Sequence, residues 1–162
     1  LMFNLSKKNL FITILLISSI ALISAYYIEY ILGHQPCSLC LYERIPFFFA
    51  ILIVLMKYKY SKLEKFFILL LAITFFLATI LSLYHLGIEQ GFIQEPLLCD
   101  LKKGANIIDK DEILKQLQQK SISCKDVTFK IFGLSLTSFN LIISLLLTIG
   151  LTKIYFGYEK NR

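Results

Sequence analysis

Four apolar stretches decide what this chain can become. Asn9 to about Tyr27 carries no charge, Ile45 to Met56 is a shorter apolar run, Phe66 to Leu86 is again uncharged, and Phe129 to about Leu151 is interrupted only by Lys130. An α-helix rises about 1.5 Å per residue, so about 20 apolar residues cross the hydrocarbon core of a bilayer. Lipid offers the backbone no hydrogen-bond partners, so such stretches cross as helices whose amides pair internally. The expected fold is all-α: a four-transmembrane-helix bundle forming one integral membrane domain over 1–162, with spans at about 9–28, 39–60, 66–86 and 129–151. Hydrophobic residues make up 57% of the chain, above the roughly 45–50% of a soluble domain. A signal peptide cut near Ser24-Ala25 is the alternative for the first run. The membrane character of the remainder favours a retained span.

The second run is too short to span alone. It reaches bilayer length only if its helix starts near Cys37 or Cys40 and ends near Tyr60. Glu43 and Arg44 then lie at or inside the interface, where charge is costly and often functional, unless both snorkel to water. Pro46 should kink this helix, leaving a carbonyl for neighbouring helices to satisfy.

Charge sets the expected orientation. The N-terminal tail, the Lys57–Lys65 loop and the C-terminal tail are basic, whereas Gly87–Thr128 holds six lysines against seven acids. The positive-inside rule puts the termini and the basic loop in the cytoplasm, and loops 29–38 and 87–128 on the other side. The formal net charge of +6 is thus a topology signal rather than a nucleic-acid footprint, and no nucleic-acid partner is expected. The chain contains no Gly-rich phosphate loop and no internal repeat. Within the long loop, Asp109 and Glu112 resemble a capping box, and Ile113, Leu114 and Leu117 form one stripe of a short helix.

All four cysteines, Cys37, Cys40, Cys99 and Cys124, fall in the extracytoplasmic loops, the oxidising side. Four cysteines allow three pairings, and spacing does not choose among them. Two structural disulfides are one reading. Cys37-Ser38-Leu39-Cys40 argues for another, because a small ring constrains the chain little and CxxC is the spacing of redox-active dithiols. A helix beginning near Pro36 would hold both sulfurs in its first turn, where the dipole favours a thiolate. Arg44, four residues after Cys40, would share its face. A four-thiolate zinc site is a third reading, disfavoured by the wide Cys99–Cys124 spacing. His85, near the end of the third run, is either an interfacial side chain or a functional one. Phe47-Phe48-Phe49 is most simply lipid-facing or packing surface, and could also wall a flat apolar ligand.

Pro36-Cys37-Ser38-Leu39-Cys40-Leu41-Tyr42-Glu43-Arg44 resembles the P-C-x-L-C-x-Y-E-R signature of the DsbB family, membrane thiol–quinone oxidoreductases of bacterial disulfide formation. Tyr84-His85-Leu86-Gly87-Ile88-Glu89 is similar to a second pattern of that family. Cys99-Asp100, Cys124, Phe132-Gly133-Leu134-Ser135 and Asn140 fit its later loop and last helix. Phe129 stands where a Trp is common. The resemblance runs over nearly the whole chain and implies an inner-membrane, multi-pass protein acting as a monomer. It implies that Cys37 and Cys40 form the quinone-linked pair, with Cys40 nearest the quinone (ubiquinone or menaquinone) and Arg44 supporting both. Glu43 and His85 would also lie at the quinone. Cys99 and Cys124 would oxidise a periplasmic DsbA-like thioredoxin-fold partner, with Cys99 forming the mixed disulfide and Cys124 linking transiently to Cys37. A vitamin K epoxide reductase-like enzyme is the rival of similar chemistry, but its CxxC lies late in the bundle rather than after the first span.

Overall fold

The computed structural model describes residues 7–60, 63–94, 124, 130–131 and 134–160. In chain order these form α1 (Lys7–Tyr30), α2 (Ser38–Tyr42), α3 (Ile45–Lys59), α4 (Glu64–Glu89), strands β1 (Lys130–Ile131) and β2 (Leu134–Ser135), and α5 (Leu136–Lys160). Four helical segments are long and apolar enough to cross a membrane: Asn9–Tyr30, Ser38–Lys59, Glu64–Glu89 and Leu136–Gly157. The four-helix membrane bundle is therefore what the chain forms.

One stripe of α4 orders the core. Phe67, Ile68, Leu71, Ala72, Phe75 and Ala78 are buried at steps of three and four residues, which is one face of a helix. The same face continues without a change of register to Ser82, His85 and Ile88, all buried. Packing the apolar half of α4 therefore fixes where His85 points. Phe75 meets Phe47 of α3 edge to face, with ring centroids 5.9 Å apart. Leu10, Phe11 and Ile14 of α1 and Leu147 and Leu151 of α5 join this cluster. Around the bundle α1 packs on α3, α3 on α4, and α4 on α5.

Four threonine hydroxyls inside the spans are satisfied locally. Thr74, Thr79, Thr148 and Thr152 each donate to the carbonyl four residues back, at 2.7–2.9 Å, which lets them sit in an apolar span without an unpaired donor. The α4 C-terminus closes with Gly91 at φ +79°. Phe92 N donates to Gly87 O at 2.9 Å and Gly91 N to Ile88 O at 3.0 Å, a Schellman closure that favours glycine at the left-handed position.

Two spans differ from expectation. The second is broken between α2 and α3 at Glu43–Arg44. Pro46 has no N–H to give the Tyr42 carbonyl, so the ladder cannot run through. It restarts with Pro46 in the first turn of α3, where the missing donor costs nothing. The last span starts at Leu136 rather than near 129. Before it, Lys130 pairs with Ser135 and Ile131 with Leu134 in a short antiparallel ladder. Ser135 then caps α5, its Oγ accepting from Ser138 N at 3.3 Å. The short helix expected around 109–117 lies outside the described residues, as does Cys99.

Candidate active site

Cys37 and Cys40 are joined in a disulfide, with Cα atoms 5.2 Å apart. Cys37 is the N-cap of α2, extended in backbone, and its Sγ accepts from Cys40 N at 3.2 Å. Cys37 is buried and Cys40 partly so. Cys124 is also disulfide-bonded. It is buried in one small cluster with Cys37, Leu39 and Ile88, so a cysteine from the long loop reaches the CxxC pair.

His85 faces that pair from α4. Its Nε2 lies 3.5 Å from Cys37 Sγ, and its Nδ1 lies 3.0 Å from Glu43 Oε1. Thr137 Oγ1 sits 3.3 Å from the same Nδ1. A nitrogen facing a carboxylate carries the proton, which assigns the tautomer with Nδ1–H donating to Glu43 and leaves the Nε2 lone pair toward sulfur. The other carboxylate oxygen, Glu43 Oε2, accepts from Asn140 Nδ2 at 3.0 Å. Asn140 also donates to Ser82 Oγ at 2.9 Å, and its Oδ1 accepts from Ser144 Oγ at 3.5 Å. Buried charge is tolerated when its oxygens are paired in this way.

Arg44 points elsewhere. It ion-pairs with Glu29 of α1 and its guanidinium lies 4.9 Å from the Tyr26 ring centroid. Glu43 and Arg44 keep right-handed helical backbone angles across the break, so the four-residue spacing from Cys40 to Arg44 is not undone by it. Cys40 and Arg44 share a cavity of about 570 Å³, whose walls include Ile20 and Ala25 of α1, Phe47 of α3 and Phe139 of α5. Glu43 and Asn140 also line this cavity, and His85 is not among its lining residues.

Sequence reasoning passed over Ser82, Thr137, Glu29 and Tyr26, and treated Asn140 only as a landmark. A signal existed for Asn140: an amide inside an apolar span is expensive and functional by default. Ser82 and His85, three apart on one stripe, carried a similar signal. Glu29 and Tyr26 carried none, because nothing in a sequence aligns one span with the next.

A zinc reading finds Cys37, Cys40 and His85 with ligand atoms within 4.8 Å of one another. The two sulfurs are bonded to each other, however, and zinc takes thiolates. The donor set suits a redox pair.

The family model described as "Disulfide bond formation protein DsbB" matches residues 7–153. The chain belongs to the DsbB family. DsbB proteins are part of the machinery that forms disulfide bonds, which makes this chain a membrane component of that machinery with oxidoreductase character. Uncharacterized protein RP370 of Rickettsia prowazekii (strain Madrid E) is 35% identical over 161 residues, covering 96% of this chain and 91% of the relative. No solved structure matches.

Proposed function

We propose that this chain reoxidises a periplasmic thioredoxin-fold dithiol protein of the DsbA type and passes the electrons through two cysteine pairs to a membrane quinone. One observation carries the reading: Cys124, from the second pair, is buried in one small cluster with Cys37 of the first. The partner's thiolate attacks the Cys99–Cys124 disulfide, with Cys99 taking the mixed disulfide. Cys124, released, attacks Cys37 Sγ, and Cys40 leaves with the electron pair. Each step exchanges one S–S bond for another, at rates set by thiolate fraction, leaving-group acidity and access.

The cavity suits a quinone. It is mostly apolar, as an isoprenoid tail requires, and its polar groups gather at Cys40, Glu43, Arg44 and Asn140. Cys40 and Arg44 would hold the head group at one end, with Ile20, Phe47 and Phe139 along the tail. A bound quinone supplies an acceptor for two electrons and two protons. The chain's part is to present the Cys40 sulfur there, with the Arg44 cation nearby to favour negative charge. In orientation, the termini and Lys57–Lys65 face the cytoplasm, and the cysteine loops face the periplasm.

The test is quinone reduction by detergent-purified protein supplied with a reduced thioredoxin-fold partner. Turnover is expected, and its absence with every partner and small dithiol would return the cysteines to a structural role. Arg44→Met should raise the quinone KM roughly tenfold or more, the loss of about 1.4 kcal/mol or more of binding. Stoichiometric oxidation of the partner by the Cys99–Cys124 pair should change less than threefold. Equal loss in both half-reactions would remove Arg44 from the quinone end.

A further inference from the structure

We propose that His85 is a catalytic residue for Cys37 rather than for the acceptor: it holds the proton of the Cys37 thiol, so that reduced Cys37 reacts as a thiolate beside an imidazolium. Glu43 is the positioning residue that fixes the imidazole and stabilises its charged form. The inference rests on the relay proposed above, but draws on a different observation, the Cys37 Sγ–His85 Nε2–Glu43 alignment.

The geometry is that of an activated nucleophile: a sulfur in reach of a base, with the base oriented by a third group. Sulfur accepts and gives long hydrogen bonds, so 3.5 Å is contact for this pair. The Nδ1–H to Glu43 bond leaves Nε2 free to take a proton. The imidazolium so formed would meet a carboxylate whose second oxygen is already held by Asn140. Asn140 is in turn held by Ser82 and Ser144, which keeps Glu43 from swinging toward Arg44. The titratable groups near Cys37 among the described residues include His34, which lines the cavity with Cys40, Glu43 and Arg44. Cys40 lies on α2, Glu43 in the following turn, His85 on α4, and Cys124 in the long loop. The α5 groups facing the site, Thr137 and Asn140, are neutral, and Glu29 on α1 is tied to Arg44.

The step served is the one that restores the Cys99–Cys124 pair. With Cys37 linked to Cys124, the Cys99 thiolate attacks Cys124 Sγ. The Cys99–Cys124 bond forms, the Cys37–Cys124 bond breaks, and the electron pair stays on Cys37 sulfur. The proton lost by the Cys99 thiol reaches His85 through solvent. The products are a disulfide and a thiolate–imidazolium pair, so the exchange needs no outside oxidant. A stabilised leaving thiolate makes this exchange faster. The same pairing keeps Cys37 reactive for reclosure onto Cys40.

The test avoids quinone. In a Cys40→Ser, Cys99→Ser, Cys124→Ser protein, Cys37 is the only thiol, and its alkylation by iodoacetamide is followed from acidic to alkaline pH. With His85 present, alkylation should remain fast at neutral pH and below. His85→Gln should slow it roughly tenfold at neutral pH and move the profile to that of an ordinary thiol, with a pKa of about 8.5. Glu43→Gln, which keeps shape and hydrogen bonding but loses the charge, should move it partway. Unchanged profiles in both variants overturn the proposal. Cys40→Ser alone tests the underlying relay: its free Cys37 thiolate should attack Cys124 of the Cys99–Cys124 disulfide, release Cys99 as a thiol and accumulate a Cys37–Cys124 disulfide. If that bond forms but the profiles do not move, the relay stands and the role of His85 falls. If the profiles move and the bond never forms, the reverse holds.

Discussion

Cys40→Ser should lower partner-driven quinone reduction by roughly a thousandfold or more, as removal of a reacting group does in other covalent mechanisms. A serine oxygen neither closes a disulfide with Cys37 nor delivers electrons from one. The loss should be confined to turnover. The Cys99–Cys124 pair is still able to oxidise one equivalent of partner, so a stoichiometric burst should precede the stop. Gel shifts after thiol trapping would read the Cys37–Cys124 species before partner is added and its disappearance as the burst consumes the single disulfide. Sustained turnover by this variant would contradict the order of the two pairs.

Phe75→Ala should be the costliest core substitution. The ring is fully buried, packed edge to face on Phe47, and lies at the centre of the α4 stripe. In soluble proteins Phe→Ala in a core costs about 3–5 kcal/mol, much of it the cavity left behind. Within a bilayer the transfer term shrinks, because lipid is as apolar as the core, and packing carries the rest. A loss of about 3 kcal/mol is expected, read from unfolding in mixed micelles. Phe76, the next residue, is 54% exposed, and Phe76→Ala should be close to neutral. Equal losses at the two positions would mean that the α4 register is wrong.

The bundle was legible because its cause is local. Uncharged runs of bilayer length have few other fates, and each run reports on itself. The CxxC pair and its following Tyr42-Glu43-Arg44 were legible as one contiguous motif. The arrangement around them was not. Cys37 and His85 meet although they are 48 positions apart, and no periodicity within one helix tells which face of another it will meet. Pro46 was visible as a kink. Which partners the two neighbouring charges find was not: Glu43 turns to His85 and Asn140, and Arg44 to Glu29 and Tyr26. The late start of α5 has the same character, since residues 130–131 pair with 134–135 in a strand ladder instead of extending the helix.

The cavity between α1 and α5 has a practical side. Phe11 and Leu151 belong to the packed core, and the cavity, which neither of them lines, reaches Cys40. Ile20 and Leu146 on the cavity wall are also among the exposed apolar side chains, so the slot opens sideways toward acyl chains. An alkyl tail from a solubilising detergent matches that slot in polarity. In micelles it becomes a competitor present at far higher concentration than any quinone, and an apparent KM measured there is a property of the detergent as much as of the enzyme. The same protein in lipid nanodiscs, where native tails are the only rivals, is the preparation in which acceptor preference is meaningfully ranked.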